Sequence, residues 1–333
     1  MLKKARGLFF LLLKIAVSAA ILFFIFRRID EKSLLAIISG ADKPLLALAF
    51  AVFFLNYILC FVRWEVLLRA FGIKLAFRRI FTAYAGGVFF NLFLPSTIGG
   101  DFLRTLDLAT HTRKPKEILA TVLLDRLSGY IGLVLLALCA LIAGRGLINE
   151  AQVAMPVALI TAILLGILAV LFNPFCYELI TRLSKRFRGG RIIGMLVDLH
   201  EEIHIFRRHK KVIVYNMLIS LLVQAVPCLS FYILSRAIGI DVHMLYFFIF
   251  LPIIVAITLL PISIGGLGLR DATTIYFFAQ AGVAKDFSFA MSLINFSFIL
   301  VCGCAAGLLY VFTLHHRRLQ PDPSSDFRGP LAR

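Results

Sequence analysis

Leu94-Pro95-Ser96-Thr97-Ile98-Gly99-Gly100-Asp101-Phe102-Leu103-Arg104 interrupts one of the apolar stretches that make up most of this chain. Proline removes a backbone donor and clashes with the preceding turn, and paired glycines loosen the backbone, so a helix entering this stretch is expected to break. The event recurs at Leu260-Pro261-Ile262-Ser263-Ile264-Gly265-Gly266-Leu267-Gly268-Leu269-Arg270. At an offset of 166, seven of the eleven positions are identical, including the proline, both glycines and the arginine. Leucine and isoleucine matches come cheaply in an apolar chain. The shared Pro, Gly-Gly and Arg are what mark the two stretches as copies of one element.

The chain around them is built for lipid. Hydrophobic residues make up 61% of the 333 positions and the mean hydropathy is +0.94, beyond what a soluble domain with a polar exterior carries. A spanning helix needs roughly 20 apolar residues. Eight runs of that order occur, at 8–26, 44–62, 80–98, 118–143, 153–172, 212–234, 244–264 and 287–313. The fold class expected is therefore an all-α polytopic membrane protein of eight hydrophobic segments, a single integral domain over 1–317 with a Pro-containing tail at 318–333. The net charge of +17 comes from Lys and Arg flanking the runs, the pattern of membrane topology rather than nucleic-acid binding. Lys3, Lys4 and Arg6 precede a first run followed by Arg27-Arg28 and no small-residue cleavage site, which reads as an uncleaved anchor. The six cysteines lie in or beside the runs and read as small packing residues. Arg63, Trp64 and Glu65, closing the second run, read as interfacial anchors.

Lys and Arg counts set the topology. If all eight runs cross, the cytoplasmic side carries 19 and the outer side 14. If the third and seventh runs are re-entrant hairpins broken at the paired stretches, the counts become 25 and 8, with Lys14 and Arg126 inside spans. The second arrangement obeys the positive-inside rule. It places both termini in the cytoplasm, with the basic linker 173–211, and gives six full spans plus two hairpins in the inner membrane. The halves 8–143 and 153–313 then share the order span, span, hairpin, span, and each crosses three times. That is an inverted repeat, which in secondary transporters brings broken helices together at a midplane substrate site.

A helix restarting after each Gly-Gly would offer unpaired N–H groups to an anion, with glycines admitting it to the backbone and Arg104 and Arg270 one turn on. The candidate substrate-binding set is Asn91, Pro95, Gly99, Gly100, Asp101, Arg104, Asp125 and Arg126 around the first break. Around the second it is Pro261, Gly265, Gly266, Gly268, Arg270 and Asp271. Asp101 and Asp271 have three open roles: capping the restarted helix, pairing with an arginine, or meeting a substrate amine. Asn91 has two open roles, bonding carbonyls freed by the break or packing. The partners expected are membrane lipids with an anionic or phosphate-bearing headgroup, and no nucleic acid.

His200-Glu201-Glu202-Ile203-His204 matches the H-E-x-x-H zinc pattern, but its polar helix ends in Arg207, Arg208, Lys210 and Lys211, which suit anionic headgroups better than zinc. A zinc metalloprotease is therefore a remote alternative, and neither metal nor cofactor is expected. No Gly-rich phosphate loop with its lysine and no nucleophile elbow occurs, so nothing points to an ATP-driven pump.

Taken together, Asn91 to Pro95 leading into Gly99 to Arg104, then Asp125-Arg126, then Pro261 to Arg270-Asp271 resemble the flippase-like membrane domain of lysylphosphatidylglycerol synthases. The resemblance covers almost the whole chain. It implies lipid translocation, with a phosphate headgroup between the hairpins. In the synthases a soluble C-terminal domain attaches lysine to phosphatidylglycerol. Here about twenty residues follow the last run, so aminoacyl transfer is not expected and the lipid stays open. The alternative from another class is an enzyme or accessory subunit of membrane lipid biosynthesis.

Overall fold

The computed structural model describes residues 16–27, 29–94, 98–110, 112, 114–146, 150–172, 210–259, 262–263 and 265–319. The H-E-x-x-H stretch, Pro95, Pro261, most of the basic linker and the tail lie outside them. The described residues form eleven helices and no strand. These are α1 Ala16–Phe26, α2 Glu31–Ser39, α3 Lys43–Ala70, α4 Phe77–Phe93, α5 Ile98–Ala109, α6 Pro115–Ala143 and α7 Glu150–Phe172. They continue as α8 Lys210–Ala237, α9 Leu245–Thr258, α10 Leu269–Gln280 and α11 Lys285–Leu319.

Four of them, α3, α6, α8 and α11, are long and apolar enough to cross a bilayer. Their polarity is inverted relative to a soluble protein. Phe54, Leu222, Leu308 and Phe312 are exposed, whereas Arg63, Asp101, Arg104 and Asp125 are buried. Apolar side chains facing outward with these four charges inside are what a chain solvated by lipid is expected to show.

Both paired stretches break the helix as expected, in different ways. At the first, α4 ends on Leu94 with an extended backbone (φ −82°, ψ 136°), the conformation a following proline enforces. The chain is helical again from Ile98, so Gly99 and Gly100 sit inside the first turn of α5 rather than before it. At the second, α9 stops at Thr258 and Gly265, Gly266 and Gly268 all take positive φ before α10 begins at Leu269. Neither 17-residue α4 nor 14-residue α9 spans alone, at about 25 and 21 Å.

The first loop holds α2, a helix that charge counting did not foresee. Asp30 accepts from the Lys32 amide to cap it, and Asp42 accepts from the Leu45 amide to cap α3. The acidic residues of this loop therefore serve helix starts as well as balancing its basic charge.

The centre of the bundle is the antiparallel pair α3 and α8. Asp42 N–H donates to the Ala237 carbonyl at 2.7 Å, and Ser230 Oγ donates to the Ala49 carbonyl at 2.8 Å. On one side α11 packs against α4, where a Cβ on Gly86 would lie 2.7 Å from the Tyr310 ring and one on Gly307 2.2 Å from Phe89. On the other side α6 packs against α9. Helices in lipid gain no hydrophobic energy by meeting each other, so such close, glycine-mediated approach supplies much of their attraction. An aromatic core of Phe231, Phe247, Phe250 and Phe278 fills the space between α8, α9 and α10.

Candidate functional site

The first break and its neighbours assemble five charged side chains in the interior. Ten residues into α6, Asp125 and Arg126 point to different partners, as adjacent helical residues must. Asp125 Oδ1 accepts from Arg63 Nε at 2.7 Å and Oδ2 from Arg104 Nη2 at 3.1 Å. Arg126 forks onto Asp101, with Nε to Oδ2 at 2.6 Å and Nη2 to Oδ1 at 2.9 Å. Arg104 Nη2 also lies 3.2 Å from Asp101 Oδ1, closing the chain of charges across α3, α5 and α6. Its guanidinium stacks on Trp64 at 4.5 Å, and the Trp64 indole N–H donates to Thr121 Oγ1.

Among the described residues, three arginines face two aspartates in this cluster. Donor capacity is in excess, since Arg104 Nε is buried without an acceptor. Desolvating five ions costs several kcal/mol each before pairing offsets it, so packing alone is a poor reason to keep them. Intramembrane ions of this kind mark pathways and binding sites. The Arg126 side chain is 36% exposed, while those of Arg63, Arg104, Asp101 and Asp125 are exposed by 10% or less. The cluster therefore presents Arg126 as its accessible member.

The cluster borders a cavity of about 390 Å³. Arg63, Asp101, Arg104, Asp125 and Arg126 line it together with Asn56, Tyr57 and Cys60 of α3 and Tyr84, Gly87 and Asn91 of α4. Gly265, from the second break, completes the wall. It has φ +57° and nothing within 4 Å of where a Cβ would stand, so its bare backbone meets open space.

Of the residues singled out in the sequence, the structure brings Asn91, Asp101, Arg104, Asp125, Arg126 and Gly265 into one cavity. Asn91 Oδ1 accepts from the Gly100 N–H at 3.0 Å, so it satisfies a donor freed by the break rather than a carbonyl. Gly99 and Gly100 do not open the backbone to a ligand. A Cβ on Gly100 would stand 2.1 Å from the Gly87 carbonyl, and one on Gly99 2.4 Å from Leu94, because the two arms of the hairpin occupy that space. Arg270 and Asp271 are not among the cavity's lining residues. Asp271 Oδ2 accepts from the Gly268 N–H, capping α10, and its Oδ1 takes Ser292 Oγ at 2.5 Å and Arg270 Nη2 at 3.2 Å. Arg270 also bonds Ser292 Oγ through Nε and lies over Phe296. Gly266 and Gly268 pack near Thr258 and against Ile21 of α1, respectively.

Arg63 and Trp64 correct the sequence reading. They are not interfacial: α3 continues to Ala70, and the two residues are 5% and 0% exposed inside the bundle. A signal for this was present. Asn56, Cys60 and Arg63 recur at helical spacing, as do Tyr84, Gly87 and Asn91, so each set falls on one face of its helix.

Apolar helices around a buried ionic cluster and a small cavity define a polytopic membrane protein with a polar site inside it. The chain belongs to the lysylphosphatidylglycerol synthase TM region family, which it matches over residues 11–315. It is 28% identical over 294 residues to a UPF0104 membrane protein of Methanothermobacter thermautotrophicus, covering 80% of this chain and 85% of that protein. A second UPF0104 membrane protein of the same organism is 24% identical over 79% of this chain and 81% of its own length. One from Pyrococcus horikoshii is 20% identical, covering 77% and 82%.

Proposed function

We propose that this protein is a flippase-like transporter that moves a phosphate-bearing lipid across the cytoplasmic membrane. The observation that carries the reading is the buried cluster of Arg63, Arg104, Arg126, Asp101 and Asp125 beside a cavity. A headgroup phosphate would add an anionic acceptor beside the three arginines. Arginine's planar fork suits it, and Arg126 is the exposed member it meets first. The cavity has room for a headgroup.

The transport architecture we infer is six spans and two re-entrant hairpins in an inverted repeat, with both termini and the linker 173–211 cytoplasmic. Lys and Arg counts favour it. Helix pairing supports it as well. The second spans of the halves, α3 and α8, run antiparallel, and α4 packs on α11 as α9 packs on α6. The site is not symmetric in this reading. The headgroup sits against the first hairpin, and the second contributes Gly265. Both interior acids of the cluster are engaged by arginines, which favours a carrier over an enzyme that would need one as a free base.

Translocation of labelled phosphatidylglycerol and of a polyprenyl phosphate in proteoliposomes tests the reading. Arg104→Ala and Arg126→Ala are each expected to lower transport by at least tenfold. Arg270→Ala is expected to stay within about threefold of the parent protein, because Arg270 does not line the cavity. The reading is wrong if the parent protein neither binds nor moves either lipid.

A further inference from the structure

A second cavity, of about 240 Å³, lies between α6, α7 and α9. Its walls are Tyr130, Leu133, Ile160, Ile163, Ala256 and Leu259, among others, and only the tyrosine carries a polar atom in its side chain. Ile163 is 56% exposed and Leu259 37%, so the groove opens outward on the lipid-facing surface. Residues close together in the chain line this groove and the charged cavity at two places. On α6, Arg126 lines the polar cavity and Tyr130 the apolar one, a single turn or about 6 Å apart. Across the second break, Leu259 lines the apolar cavity and Gly265 the polar one. Polarity thus changes from ionic to hydrocarbon over one helical turn, the step that separates the phosphate of a glycerolipid from its chains.

We propose that this groove is the acyl-chain subsite of the lipid whose phosphate binds at Arg104 and Arg126. The proposal rests on the reading of the charged cavity as a headgroup site, and adds that the protein recognises part of the hydrocarbon. The preferred ligand is a long-chain lipid in which phosphate and chain are joined by a short linker. One chain lies along Tyr130, Leu133 and Ile160, with Leu259 on the groove side and Gly265 on the headgroup side.

The test compares binding of dioleoyl-phosphatidylglycerol with dihexanoyl-phosphatidylglycerol to the purified full-length protein in detergent, read by native mass spectrometry as an affinity ratio. Ile163→Trp and Ala256→Trp fill the groove, and Ile163 is exposed enough for the first to fold. Each is expected to lower the preference for the long-chain lipid about tenfold, equivalent to about 1.4 kcal/mol, with short-chain binding unchanged. Arg104→Ala is expected to weaken both lipids alike. A long-to-short ratio unchanged in both tryptophan variants overturns the subsite, and is what a groove filled by any annular lipid would give. Arg104→Ala without effect on either lipid overturns instead the headgroup reading on which the subsite rests.

Discussion

The two breaks begin from nearly the same eleven residues and end in different chemistry. At the first, Arg104 is drawn into a five-membered cluster that lines a cavity. At the second, Arg270 is satisfied by its neighbour Asp271, by Ser292 and by the face of Phe296. The sequence offset that aligns the breaks also aligns Asp125 and Arg126 of α6 with Met291 and Ser292 of α11. The second half thus has a serine and a thioether where the first has a carboxylate and a guanidinium. The glycines diverge as well. Gly99 and Gly100 let two hairpin arms touch, whereas Gly265 leaves bare backbone facing the cavity. A motif sets where a helix breaks, and the helix packed beside it sets what the break does.

The largest effect that separates the two breaks belongs to Asp125→Ala. It strands Arg63 and leaves Arg104 only its Asp101 contact, and about 3–5 kcal/mol of stability is expected to go, the usual cost of removing one partner of a buried pair. Thermal unfolding in detergent reads this, with the volume-conserving Met291→Leu, expected to cost below about 1.5 kcal/mol, as the control at the aligned position. Equal losses at both would erase the contrast. Next comes Gly100→Ala, which drives a methyl into the Gly87 carbonyl and is expected to cost up to about 3 kcal/mol as the arms part. Gly265→Ala meets no neighbour, so only its positive φ is penalised, by about 1–2 kcal/mol. Chemical denaturation of the pair would sharpen the comparison, and a larger loss at Gly265 would reverse it. Smallest is Ser292→Ala, about 1 kcal/mol for hydrogen bonds to Asp271 and Arg270, with lipid binding unchanged. A fall in lipid affinity for this variant would bring the second break back into the site.

Much of the first break was legible in the sequence because its residues are chemically conspicuous there. An Asp-Arg pair inside an apolar run, and an Arg one turn beyond Gly-Gly, have few neutral explanations in lipid. Arg63 was not legible, because a basic residue ending an apolar run looks the same whether the helix stops there or continues for seven more residues, as α3 does to Ala70. For Asn91 the sequence left open a bond to freed carbonyls or a packing role, and its Oδ1 accepts from the Gly100 amide. Its side chain lies one hairpin arm away from the Gly100 amide it bonds, a relation fixed by how α4 and α5 cross.

By itself the sequence determined an all-α membrane protein broken twice at matched places, because lipid forbids unsatisfied backbone and only Pro and Gly interrupt such runs cheaply. It also determined that charge would lie in the interior, since Asp101, Arg104, Asp125 and Arg126 fall within or beside apolar helices. Only the tertiary structure decided that these four would join Arg63 around one cavity while Arg270 and Asp271 pair elsewhere. Ion pairing in a low-dielectric interior acts over a few ångströms. Which charges come that close is settled by helix packing, on which a local motif is silent.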